Sequence, residues 1–134
     1  MTKQFIRKFE ASTYGHHARG IHSMAIRTRG TTCFSAARPG STWTAASWAG
    51  TTPGAQAEQA CRNIKQLMEE AGGSIKDVCK LTVYITDVKF RPAVYGMIAK
   101  YFEGVHHCST GLVVSGLALP ELLVEIDAFA VIES

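Results

Sequence analysis

Leu122-Leu123-Val124-Glu125-Ile126-Asp127-Ala128-Phe129-Ala130-Val131-Ile132 is an apolar run with an internal period of two. Val124, Ile126, Ala128, Ala130 and Ile132 fall on one side of it, and Leu123, Glu125, Asp127, Phe129 and Val131 on the other. A period of two is the signature of a β-strand, whose side chains alternate between the faces of a sheet. The first set reads as core. The second places two carboxylates on one face among apolar neighbours, the raw material for a proton-transfer site.

Working back from that strand, the segment from Gly54 reads as an amphipathic helix, an alternating strand, a second helix and then two strands. Thr52 and Pro53 suit the start of the first helix and Gly72-Gly73 its end. Ala57, Ala60, Cys61, Ile64, Leu67, Met68 and Ala71 recur along one stripe, while Gln59, Arg62, Asn63, Gln66 and Glu70 cover the other side. In the next strand Cys79, Leu81, Val83 and Ile85 face one way, and Lys80, Thr82, Tyr84 and Thr86 the other. The second helix runs over 90–102, with Val94, Met97, Ile98 and Tyr101 as its buried stripe and Pro92 in its first turn. The closing strands fall at 110–117 and 122–132. Shorter segments at 4–10, 22–28 and 31–35 read as strands, separated by a polar loop containing His16 and His17. A long Ser/Thr/Gly/Ala-rich connection from Ala36 to Thr52 holds Trp43 and Trp48, either as an apolar lid or as packing at a subunit edge.

Two helices cover only one side of such a sheet. The other side still carries Tyr84, Leu123, Phe129 and Val131, and a sheet face this apolar meets another subunit. The expectation is a closed homo-oligomer with the sheets facing inward.

The totals narrow the function classes. At 134 residues, 46% hydrophobic and 19% charged, the chain fits a single soluble domain, 1–134. A net charge of +3 with interspersed signs gives no basic stripe, so no nucleic-acid partner is expected, whereas a small anionic substrate suits the sign. No apolar run reaches the ~18 residues of a membrane span, no leader pattern opens the chain, and no Cys-x-x-Cys pair occurs. The expected setting is reduced and cytoplasmic, without a membrane partner. Cys61 and Cys79 read as small core residues. The five histidines, His16, His17, His22, His106 and His107, lack ligand spacing, so no metal and no cofactor is expected.

The strings Gly72-Gly-Ser-Ile-Lys-Asp-Val-Cys-Lys-Leu-Thr-Val-Tyr-Ile-Thr-Asp87 and Ser115-Gly-Leu-Ala-Leu-Pro-Glu-Leu-Leu-Val-Glu-Ile-Asp-Ala-Phe-Ala130 closely resemble the RidA/YjgF family, with weaker matches at 23–27 and 30–34. The resemblance implies an α+β, chorismate-mutase-like fold: a mixed sheet with two helices on one face, assembled as a homotrimer with ligand clefts between subunits. It also implies cofactor-free deamination of reactive enamines or imines, aminomuconate-type deamination being one family activity. Glu125 matches the family's acidic cleft residue. The family's substrate-binding arginine falls on Ser109, or on Cys108 with a one-residue shift. Its rim tyrosine falls on His22, its Ser-Gly pair on Ala36-Ala37, and an asparagine of the second helix on Tyr95. Loss of the arginine implies a substrate without the usual α-carboxylate, or one bound in another orientation.

These residues define the expected site. Glu125 is the acid/base, since one carboxyl group can serve both water attack on carbon and protonation of nitrogen; the ordinary alternative is a solvated strand residue. Asp127 either raises the Glu125 pKa by repulsion or pairs with a cation. Cys108, preceded by His106 and His107, is a candidate nucleophile for an amide or other acyl substrate, or else a cysteine filling a cleft wall. Adjacent strand residues point apart, so His107 is poorly placed to activate it and His106 better. His22, Ala37, Tyr95 and Ser109 are the expected substrate-binding positions. Three functions follow: a cofactor-free enamine/imine hydrolase, a non-enzymatic ligand-binding or protein-protecting trimer, and a cysteine hydrolase using Cys108.

Overall fold

The computed structural model describes the backbone of residues 3–8, 23–28 and 32–37 and the whole of residues 52–132. Strands β1 (Lys3–Lys8), β2 (Ser23–Thr28) and β3 (Thr32–Ala37) form an antiparallel meander. Helix α1 (Pro53–Glu70), β4 (Val78–Ile85), α2 (Arg91–Tyr101), β5 (Cys108–Val113) and β6 (Val124–Val131) follow. All six strands join one sheet in the order β1-β2-β3-β6-β4-β5. The single parallel pair in that order is β4–β5, joined by the crossover through α2; β6 lies antiparallel between β3 and β4.

Local chemistry sets the helix ends as the sequence indicates. The Thr52 side chain accepts from the Ala55 amide at 3.2 Å. At the other end Gly72, with φ 89°, donates to the Glu69 carbonyl and Gly73 to the Met68 carbonyl. That pair of bonds is a Schellman stop, and its left-handed residue is a glycine because a Cβ is disfavoured there. On the outer surface Glu58, Arg62 and Tyr101 strap α1 to α2: Tyr101 Oη donates to Glu58 Oε1 at 3.0 Å and Arg62 Nε donates to Tyr101 Oη at 2.8 Å.

The core lies between the helices and one face of the sheet. Ala57, Ala60, Cys61, Ile64, Leu67 and Met68 of α1 and Val94 and Ile98 of α2 pack with Leu81, Val83, Ile85, Val124, Ile126, Ala128, Ala130 and Ile132. Met97 and Tyr101 pack against this cluster half-buried, and Phe102 joins it fully.

Three expectations need correction. Asn63, assigned to the solvent side of α1, is buried, and its Oδ1 accepts from Gln59 Nε2 at 2.9 Å. Gln56, to which no side was assigned, is buried as well: its Nε2 donates to the Glu121 carbonyl at 3.0 Å and its Oε1 accepts from the Leu123 amide at 2.8 Å, tying α1 to the entry of β6. Cys79 is exposed rather than core, because the β4–β6 register shifts between Val78 and Lys80. Val78 takes the buried position opposite Ala130, and Cys79 becomes the extra residue of a bulge. The strand expected at 110–117 also begins and ends earlier, at Cys108–Val113. No helix among the described residues is long and apolar enough to cross a membrane.

Candidate functional site

On the face of the sheet away from the helices, register fixes three rungs across β6, β4 and β5. Glu125 lies opposite Tyr84, and Tyr84 opposite Leu112. One rung on, Asp127 lies opposite Thr82 and Thr82 opposite Thr110; the third rung is Phe129, Lys80 and Cys108. On the far side of β6, Ala36 and Ala37 of β3 are the backbone partners of Asp127 and Ile126. Glu125 and Asp127 thus sit two residues apart on a half-buried surface, between two strands and not at an edge.

Tyr84 Oη donates to Asp127 Oδ2 at 3.2 Å, a diagonal contact across the β4–β6 pair. Burial pushes the Asp127 carboxyl above its ordinary range, and the Tyr84 hydrogen bond only partly offsets this. Burial likewise raises the Tyr84 phenol, with the Asp127 and Glu125 charges adding to the effect. The result is a carboxyl group held toward its neutral form beside a second carboxylate, a juxtaposition suited to separate acid and base roles. Sequence reasoning named Tyr84 only as an apolar-face residue. Its hydrogen-bonding role was signalled by a strand position that faces two carboxylates.

The expected site residues divide between the two faces. Cys108 opens β5, is exposed, and shares the Glu125 face; sheet geometry sets its Cα ~16 Å from that of Glu125, two strands and four residues away. Ser109 is the partner of buried Leu81, which assigns it to the helix side. Tyr95 lies on that side too: its hydroxyl sits over Gly111, where a Cβ would collide with it, and the Arg91 guanidinium lies 4.6 Å from its ring centroid. Within one protomer, therefore, Ser109 and Tyr95 stand apart from Glu125 and Cys108. His107 Nδ1 lies 3.2 Å from the Val105 carbonyl, to which it donates in its Nδ1–H tautomer, and its ring centroid lies 5.3 Å from that of Phe102. His22, with His16, His17, Trp43 and Trp48, lies outside the described residues. Among the described residues no group of three or more His, Cys, Asp or Glu has the arrangement of a metal site. A groove of about 470 Å³ lies at the far end of β4 and β5, lined by Thr86, residues 115–120 and Leu122.

Comparison with known proteins settles the family. The model described as Endoribonuclease L-PSP matches residues 16–132. The chain belongs to the RidA/YjgF family. A RutC family protein of Pyrococcus horikoshii is 36% identical over 75 residues, 56% of this chain, and one of Pyrococcus abyssi is 33% identical over the same length. The matched stretch spans only 59% and 58% of those two relatives. A YjgF/YER057c/UK114 family member from Mycobacterium tuberculosis superimposes with a TM-score of 0.81 at 27% identity, covering 98% of this chain and all of that one. RidA from an Antarctic Psychrobacter superimposes with a TM-score of 0.76 at 27% identity over 94% of this chain and 99% of its own. The α+β arrangement, a mixed sheet with two helices, is the chorismate-mutase-like fold of this RidA/YjgF group.

Proposed function

We propose that this RidA/YjgF protein is a cofactor-free hydrolase that converts a small enamine or imine to the carbonyl compound and ammonia in a cleft between subunits of a homotrimer. The observation that carries this reading is the placement of Glu125 beside Asp127 and opposite Tyr84 on the sheet face that the helices leave uncovered. In the reaction, Glu125 gives a proton to the imine nitrogen and takes one from the attacking water; it then gives that proton to the amino nitrogen of the carbinolamine and takes the hydroxyl proton as the C–N bond breaks, leaving the carbonyl compound and ammonia. Asp127, its carboxyl raised by burial and held by the Tyr84 hydrogen bond, is the second carboxyl group beside Glu125. Family membership adds the deaminase precedent and the trimer. Ser109, or Cys108 with a one-residue shift, in place of the family's arginine favours a substrate lacking an α-carboxylate or one bound in another orientation. A cytoplasmic setting fits a reduced chain with exposed free cysteines.

One observation favours a second reading. Tyr95 and Ser109 lie on the helix side of the protomer, away from Glu125, so a trimer that binds small molecules or protects proteins without turnover keeps the scaffold but not the catalytic set. The third, cysteine-dependent acyl hydrolysis, rests on exposed Cys108 alone. The test uses imines generated in situ by an amino-acid oxidase, with and without a carboxylate beside the imine carbon, and follows ammonia release. Acceleration that Glu125→Gln abolishes and Cys108→Ser spares supports the deaminase. Acceleration lost in Cys108→Ser moves the chemistry to the thiol, and the absence of acceleration on either substrate overturns the proposal.

A further inference from the structure

The bulge at the start of β4 brings two thiols to one place. Lys80 is the Cα partner of Cys108 at the first rung of the parallel β4–β5 ladder, and Cys79 is the residue before it. A strand spacing of ~4.8 Å and a rise of ~3.3 Å per residue set the Cys79 and Cys108 Cα atoms ~6 Å apart. Disulfides span Cα separations of about 4.4–6.8 Å. In a regular strand two residues so related would point to opposite faces. Here the register shift removes that objection: Val78 and Leu81 are buried, and both residues between them, Cys79 and Lys80, are exposed. Cys108 is exposed and, as the ladder partner of Lys80, shares the face of that residue. The Cys79 Sγ has one weak contact, with the Asp77 carbonyl at 3.5 Å, so little holds it in its present rotamer. Cys61 offers the contrast, being buried in the core with its thiol pushed up to about 12 by desolvation.

We infer that Cys79 and Cys108 form a redox-active dithiol that closes to an intrachain disulfide by exchange with a small organic disulfide. One thiol, as its thiolate, attacks a sulfur of the small disulfide, forming a mixed disulfide and releasing one small thiol. The second cysteine then attacks the protein sulfur of that mixed disulfide and expels the other small thiol. The protein loses two protons and two electrons, and the small disulfide gains them as two thiols. The bond ties the bulged start of β4 to the start of β5, the edge strand all of whose residues are exposed. It requires no substrate, but it does require that the third rung of the shared face, at Lys80 and Cys108, stay open to a small disulfide in the assembled protein.

The full chain, reduced and freed of reductant, is incubated with glutathione disulfide under native conditions, quenched in acid, alkylated and mapped without reduction. The expected product is a Cys79–Cys108 cross-linked peptide pair in a chain that remains monomeric on a denaturing, non-reducing gel, with two titratable thiols lost and restored by dithiothreitol. Cys79→Ser should instead trap a stable glutathione adduct on Cys108, and Cys108→Ser one on Cys79, because each lacks the resolving thiol. The inference is overturned by a stable glutathione adduct on the wild type without the cross-link, by a cross-link through Cys33 or Cys61 or between chains, or by no reaction. The wild-type map decides the matter even where a variant fails to fold.

Discussion

Asp127 shows how one residue's surroundings separate it from a chemically equivalent neighbour. Its carboxyl is half-buried, accepts a hydrogen bond from Tyr84, and has its pKa raised, chiefly by desolvation. The folded chain therefore holds the Asp127 proton more tightly than the unfolded chain does. The resulting cost of ionisation is absent below the unfolded-state pKa, grows as the pH rises through the folded-state value, and persists at neutrality. Asp127→Asn removes the ionisable group and keeps an acceptor for Tyr84. At fixed protein concentration the variant should equal or exceed the wild type in denaturation midpoint at pH 7, and that advantage should shrink as the pH approaches 3; an advantage that grows on acidification would show the carboxylate to be stabilising instead. Tyr84→Phe acts differently: it strips a donor from a partly desolvated carboxylate and should cost about 1 kcal/mol in urea denaturation at pH 7. Gly73 makes a steric argument of the same scale. A Cβ there would lie 2.6 Å from Asp77 Oδ2 and 2.8 Å from Ile132 Cγ1. Because backbone-anchored Asp77 also accepts from the Ser74 amide at 2.7 Å, it cannot retreat freely. Gly73→Ala should therefore destabilise by about 1–3 kcal/mol, read from the same urea midpoint.

At the scale of elements, the helices and the two inner strands were legible because one periodicity dominated each. The 3.6-residue stripe of α1 and the alternation of β6 bury the residues they mark, from Ala57 to Met68 and from Val124 to Ile132. The misreadings have specific causes. Asn63 was assigned to the wrong side and Gln56 to no side, because each is a polar side chain buried with hydrogen-bonding partners that lie far away in sequence or one helical turn on, information a hydropathy pattern lacks. Cys79 was displaced by a bulge that depends on how β4 meets β6, not on β4 itself. β5 was placed two residues late because all of it is exposed in the protomer, leaving no burial pattern to mark its ends. For the candidate site, Glu125 and Asp127 were visible from alternation alone, whereas the Tyr84–Asp127 bond needed the cross-strand register. Gln56 offers the sharpest test at this scale. Gln56→Leu keeps much of the volume but leaves the Glu121 carbonyl and Leu123 amide without their partner, so it should cost about 2–3 kcal/mol and loosen the entry to β6. Hydrogen exchange should report early loss of protection at Leu123 relative to the centre of β6.

For the whole molecule, the deciding question is what covers the far face of the sheet. In the protomer that face carries Tyr84, Glu125, Asp127 and Phe129 half-buried, while Leu112 remains 45% exposed and Val131 39% exposed. A catalytic role for Glu125 needs water to be rationed there, because a freely solvated carboxylate keeps an ordinary pKa and holds no substrate. The proposed trimer supplies the cover, and Leu112 is the place to challenge it. It belongs to the same rung as Tyr84 and Glu125 but sits on the edge strand β5. In an isolated chain, Leu112→Lys would exchange one exposed side chain for another and change stability by no more than about 0.5 kcal/mol. In a sealed face it would bury a charge without a partner. Sedimentation of the wild type should give three times the 14.5 kDa chain mass, and the variant should shift toward the single-chain mass with its helical circular dichroism retained. A variant that sediments and turns over substrate as the wild type does would place Leu112 outside any contact. Glu125 would then have to act on a face open to water, and the deaminase reading would lose the enclosure on which its acid/base chemistry depends.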